Sequence, residues 1–230
     1  MQDHLYTIPV TEIFEQTGGC PICRLRDTLE KRVCDYTLGP AMMEPDVRQK
    51  TNRMGFCAVH LEQLRQGKNR LGLGLLLDTH LKELRKALAS GGLMDSPKKA
   101  AYKAARAEQS CFVCDRVEQG MRQLLSAMLK SYDTEPDFRQ MFKAQQALCL
   151  PDYRLLLEQA AQQLPKKRQA EFLKDCRALV LKVLDPLCAD MEKFTQMFDY
   201  RADKDAPEFQ AVKDAIERAG GFLNGRIGTV

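Results

Sequence analysis

The chain has no apolar run approaching the roughly 20 residues that a membrane helix needs, so no bilayer span is expected. Its opening, Met1 to Val10, lacks both the basic and the apolar stretch of a secretory signal, and a cytoplasmic protein is expected. Charge of one sign is lacking too. The 35 basic and 31 acidic residues leave a net charge of +4, too small to imply a polyanion partner. Tryptophan is absent, which also weighs against nucleic acid as a partner. No segment sustains two-residue alternation, so almost no sheet is expected.

What is present is a chain of 230 residues, 44% hydrophobic, enough for one or two cores. Nine cysteines stand out. The count is odd, and in a reducing compartment such thiols point to metal rather than to disulfides.

A shift of 91 residues lays Cys20 and Cys23 on Cys111 and Cys114. At the same offset Glu44-Pro-Asp-Val-Arg-Gln49 meets Glu135-Pro-Asp-Phe-Arg-Gln140, identical at five of six positions. One inserted residue later Cys57 aligns with Cys149, and His60 with Asp152. The pattern reads as a tandem duplication: an arm over 1–19, repeats over 20–110 and 111–201, and a C-terminal helix and tail over 202–230.

The periodicity throughout predicts an all-α fold. Leu77, Leu81, Leu84 and Leu88 recur at helical steps, as do Phe172, Cys176, Leu179, Val183, Leu187, Met191, Phe194 and Phe198. Pro186 is expected to kink or split that second helix. Pro45 and Pro136 suit first helical turns, with Asp46 and Asp137 facing the positive dipole end. A linker is expected from Gly91 to Pro97, where Leu93 and Met94 have the option of docking. One more helix is expected near Pro207 to Ala219, followed by a fraying Gly-rich end.

Cysteines two residues apart can turn both sulfurs to one ion. Cys20-Pro-Ile-Cys23 is completed, on this reading, by Cys57 and His60 after a 33-residue gap, giving three thiolates and an imidazole around zinc. That gap exceeds the gap of a compact zinc finger and fits two helix starts stapled across a helical segment. The alternative is four unrelated core residues. Cys111, Cys114 and Cys149 with Asp152 form the second set, and two zinc ions are expected in all. Asp152 could instead be an early-turn residue facing the helix dipole, or the fourth position could hold water. A Cys3Asp site carries one more negative charge than Cys3His and so calls for nearby cations or amide hydrogens.

Arg24 and Asp115 follow the two Cys-x-x-Cys pairs where covalent haem would need histidine, and no strand–helix–strand pattern supports a redox pair. An iron–sulfur cluster needs four converging cysteines, whereas each copy supplies three. Cys34, Cys176 and Cys188 have no repeat partner and read as core packing. His80 reads as a packed or interfacial histidine, Leu71-Gly-Leu-Gly-Leu75 as no nucleotide loop, and Lys166, Lys167 and Arg168 as a solvated face. Arg48 and Arg139, matched in the two copies, read as ion pairs bracing the zinc sites, with anion binding as the alternative.

The strings Leu5-Tyr-Thr-Ile-Pro-Val10, Gly19-Cys-Pro-Ile-Cys23, Met42-Met-Glu-Pro-Asp-Val-Arg48, Gly55-Phe-Cys57 with His60, Thr79-His80-Leu81 and Cys149-Leu-Pro151 together resemble an uncharacterised family of Gram-positive bacterial proteins. Some of its members carry the label of transporter substrate-binding protein. That family is a domain of unknown function, so the resemblance implies no activity. It implies a second histidine where this chain has Asp152. The transporter label finds no support here, since such a lipoprotein needs an export signal and an α/β fold.

The function expected from these features is a zinc-stapled scaffold that binds a protein or small-ligand partner. The alternatives are a metal-dependent hydrolase with an open Cys111, Cys114, Cys149 site and Glu118 or Glu135 as base, and a zinc-thiolate redox sensor.

Overall fold

The computed structural model describes residues 3–89, 96–199, 207–225 and 227. Among them there are helices and no strands, as the periodicity predicts. In chain order come α1 (Asp3–Phe14), α2 (Pro21–Leu38), a 3-10 turn (Pro40–Met43), α3 (Pro45–Met54), α4 (Ala58–Gln66), α5 (Arg70–Ala89) and α6 (Pro97–Glu108). Then follow α7 (Phe112–Thr134), α8 (Pro136–Ala144), α9 (Leu150–Gln163), α10 (Lys166–Gln196), α11 (Pro207–Gln210) and α12 (Ala215–Asn224). Among the described residues no helix is long and apolar enough to cross a membrane. Most of the expected linker, including Leu93 and Met94, lies outside the described residues. The single helix expected near Pro207 to Ala219 is instead two, α11 and α12, and the Gly-rich stretch expected to fray is helical through Gly220 and Gly221 to Asn224, because Gly225 in a left-handed conformation caps α12 only there.

The matched strings open equivalent helices. Pro45 and Pro136 each stand at the start of a helix, α3 and α8, with Asp46 and Asp137 in the first turn. Cys57 and Cys149 occupy the N-cap positions of α4 and α9 in closely similar extended conformations, φ −70° and ψ 167° against φ −77° and ψ 161°. Pro186 lies inside α10 and does not split it, and the stripe of Phe172, Cys176, Leu179 and Leu187 is buried.

The chain divides into two compact units, Thr28–Gly120 on the one hand and Met1–Asp27 with Met121–Val230 on the other. These divisions fall inside the long helices α2 and α7 and so differ from the bounds 20–110 and 111–201 expected for two repeats. In the unit of residues 28–120, Cys34, Leu38, Val47, Leu64, Leu73 and Leu76 pack with Phe112 and Val113. The buried face of α5 is Gly72, Leu73 and Leu76, while Leu81 and Leu88 of the expected stripe are exposed. The reason is rotation. The covered face follows Leu73, Leu76, His80 and Leu84 toward α3 and α6, and at about 100° per residue Leu81 and Leu88 fall at its edge.

In the other unit an aromatic cluster joins α1, α7, α8 and α10. Phe14 meets Phe138 and Phe142, and Tyr132 packs edge-on against Phe142 and Phe172. The Tyr132 hydroxyl donates to Asp175 at 2.6 Å, which satisfies a polar group in a fully buried side chain. Cys34 and Cys176 are buried as expected, but Cys188 is exposed. It follows the buried Leu187 by one residue, and a 100° turn carries it off the stripe.

Candidate metal centres

All eight predicted residues are drawn into two four-donor groups, but not in the expected pairing. Cys57 and His60 stand with Cys111 and Cys114, and Cys20 and Cys23 stand with Cys149 and Asp152. The Cys20-x-x-Cys23 pair is therefore completed by Cys149 and Asp152, and the Cys111-x-x-Cys114 pair by Cys57 and His60. Helix lengths explain why. From Cys20, α2 runs 18 residues, about 27 Å, whereas α3 before Cys57 is only about 15 Å long. From Cys111, α7 runs about 34 Å over 23 residues, whereas the 9-residue α8 before Cys149 is about 14 Å long. The shorter helices are too short to retrace the longer ones, and neither pair meets the Cys-x-x-His or Cys-x-x-Asp that follows it in the chain.

As the spacing suggested, helix starts are what the two groups bring together. In the first group the start of α4 meets the start of α7, and in the second the start of α2 meets that of α9. Gly55 prepares the first junction. Its φ of +63° is closed to ordinary side chains, and its carbonyl accepts the Phe112 amide at 3.0 Å. Gly225 does the same for the second: at φ +82° it ends α12, and its carbonyl accepts from Cys23 Sγ at 3.1 Å.

The distances fit a tetrahedral dication. Zinc–sulfur bonds of about 2.3 Å place two sulfurs about 3.8 Å apart, and a nitrogen or oxygen bonded at about 2.0 Å falls about 3.5 Å from each sulfur. Cys57 Sγ lies 3.9 Å from Cys114 Sγ, and His60 Nδ1 lies 3.2, 3.4 and 3.3 Å from the sulfurs of Cys57, Cys111 and Cys114. In the second group Cys23 Sγ and Cys149 Sγ are 3.7 Å apart, and Asp152 Oδ2 lies 3.4, 3.2 and 3.1 Å from Cys20, Cys23 and Cys149. All nine cysteines are free thiols.

Each non-sulfur donor is oriented from behind by α2. His60 Nε2 donates to Glu30 Oε1 at 2.6 Å, which turns Nδ1 to the sulfurs. Asp152 offers Oδ2 to the sulfurs while Oδ1 accepts from Arg26 at 2.8 Å. This guanidinium is the cation that the more negative Cys3Asp set calls for. Neither orienting residue was picked out in the sequence. The signal was there, because Cys23, Arg26 and Glu30 recur at three and four residues and share a helix face.

Environment separates the two groups. Cys20, Cys23, Cys149 and Asp152 are all buried, whereas Cys114 is exposed and Cys57 partly so. Burial, and then the charge on Cys20, push the Asp152 carboxyl above its ordinary value, with Cys149, Cys23 and Arg26 pulling the other way. Sulfhydryl donors from Cys149 and Cys23 hold the Cys20 thiol well below its usual range. Burial raises Cys57, but the His60 amide and the Cys111 and Cys114 sulfurs outweigh it and lower the thiol overall.

The remaining predicted residues have other roles. Arg48 donates to the Leu75 carbonyl at 3.1 Å and to Thr79 Oγ1 at 2.9 Å, and Arg139 donates to the carbonyls of Tyr132 and Asp133 at the end of α7. Arg48 thus ties α3 to the middle of α5, Arg139 ties the end of α7, and neither braces a cluster. His80 packs over Gly55, with Nδ1 2.7 Å from the Asn52 carbonyl. Arg168 is not simply solvated, since it pairs with Asp133 and Glu171. Within residues 28–120 an open cavity of about 1040 Å³ has Met54, Leu84 and Ala107 among its apolar lining and Arg53, Tyr102 and Arg106 among its polar lining.

Fold and sites together define an all-helical protein with two thiolate-rich groups, each able to hold a metal ion. The chain belongs to DUF6062, a family of unknown function, whose profile matches residues 1–229. No curated protein and no solved structure matches it significantly.

Proposed function

We propose that the protein is a zinc-dependent helical scaffold in which each ion joins two helix starts far apart in the chain. The observation that carries this reading is the convergence of four ligand atoms in each group within 4.8 Å of one another. Three thiolates with one nitrogen or oxygen suit zinc, and four protein donors close the tetrahedron, as structural sites do. The open hydrolase site drawn from Cys111, Cys114 and Cys149 is superseded, because Cys149 stands in the other group. Glu118 and Glu135 are exposed, and Glu135 sits at the N-cap of α8. The cavity beside α3, α5 and α6 is the surface this scaffold holds open for a partner or small ligand. Metal analysis of purified protein should return two zinc ions per chain, and a metal-edge anomalous map should place them on these eight residues. A metal-free protein of unchanged thermal stability would overturn the reading.

A further inference from the structure

We propose that the Cys57, His60, Cys111, Cys114 site is a peroxide-responsive zinc site that releases its ion when Cys57 and Cys114 join in a disulfide, while the Cys20, Cys23, Cys149, Asp152 site keeps its own. The inference rests on the zinc reading above and assigns the regulation of one of its two sites.

The two sites have almost the same sulfur spacing and opposite access. Cys57 and Cys114 lie 3.9 Å apart through Sγ, with Cys114 exposed and Cys57 partly exposed. Cys23 and Cys149 lie 3.7 Å apart, but the exposures in their group are 0% for Cys20, 2% for Cys23, 0% for Cys149 and 2% for Asp152. Oxidant susceptibility follows thiolate character and exposure together. Zinc ligation supplies the first at both sites, and only one site has the second.

The chemistry is complete with hydrogen peroxide as the oxidant. The Cys114 thiolate attacks one peroxide oxygen, so that an S–O bond forms, the O–O bond breaks and hydroxide leaves. The Cys57 thiolate then attacks the Cys114 sulfur and displaces a second hydroxide as the S–S bond forms. The two sulfurs give up two electrons, peroxide is reduced, and two protons from solvent convert the hydroxides to water. Cys111 and His60 remain as only two donors, too few to hold zinc against solvent.

The test uses the full-length, zinc-loaded protein. Zinc per chain is counted first, then equimolar hydrogen peroxide is added and release is followed with a chromogenic chelator, with peptide mapping after thiol blocking. One of the two ions should be released, Cys57 and Cys114 should be found linked, and a dithiol reductant should restore the second ion. Cys188→Ser removes the other exposed thiol and should change none of this. Release of both ions together, release of neither, or a disulfide involving Cys20, Cys23 or Cys149 would overturn the proposal while leaving the zinc reading intact. Fewer than two ions before peroxide is added would instead overturn the zinc reading itself.

Discussion

At the scale of single residues, Asp152 exerts opposite effects in two states of the protein. Without metal its carboxyl lies above the ordinary value, so the folded chain binds more protons than the unfolded chain between the two values. The contribution of this carboxyl to stability is then fully present below about pH 3.9 and is lost as pH rises through the raised value. A bound dication reverses the sign, because it favours the charged carboxylate. Asp152→Asn should therefore cut zinc from two ions to one, yet flatten the pH dependence of melting in chelator-treated protein and raise its melting temperature near neutrality. Zinc analysis paired with melting curves across pH checks both halves. Glu30→Gln keeps the shape of the group behind His60 but removes its charge. It should weaken zinc at the Cys57 site by roughly 10- to 100-fold in chelator competition and leave the Asp152 site unchanged.

At the scale of elements, the junction between α3 and α4 depends on Gly55. A Cβ there would sit 2.5 Å from His80 Nε2, on a backbone whose φ of +63° and ψ of −153° disfavour any side chain. Gly55→Ala should cost about 1–3 kcal/mol, read as a lower denaturant midpoint at unchanged slope. The helices and their proline-led starts were legible in the sequence because heptad-like spacing and turn chemistry are local. The eight metal-ligand candidates were legible for the same reason, since Cys-x-x-Cys and Cys-x-x-His are motifs of a single helical turn. Their pairing was not. Which helix start meets which depends on how far α2 and α7 carry the chain against how short α3 and α8 are, a sum over whole elements. Leu81 and Leu88 were misplaced likewise, because the leucine spacing marks a broad stripe and does not say which edge of it the neighbours α3 and α6 will cover.

At the scale of the whole molecule, each site lies inside one compact unit. His60→Ala should thus raise amide exchange across residues 28–120 while α8, α9 and α10 keep their protection, which hydrogen-exchange mass spectrometry would resolve. Loss of protection throughout would mean that the units do not unfold separately. The unit of residues 28–120 is also inserted in sequence between the two stretches of the other, and this gives the protein a schedule at the ribosome. All four ligands of the inner site are made by Cys114, whereas Cys20 and Cys23 wait through more than 120 further residues for Cys149 and Asp152. At about 5–20 residues per second that wait is roughly 6–25 s. It lengthens until the chain delivers Ile227, whose carbonyl accepts the Cys20 amide at 3.1 Å. Of the eight candidate ligands, Cys20 and Cys23 are thus made first and closed last, and for that interval the nascent chain is exposed to stray metal and to oxidation before the unit that holds them can form.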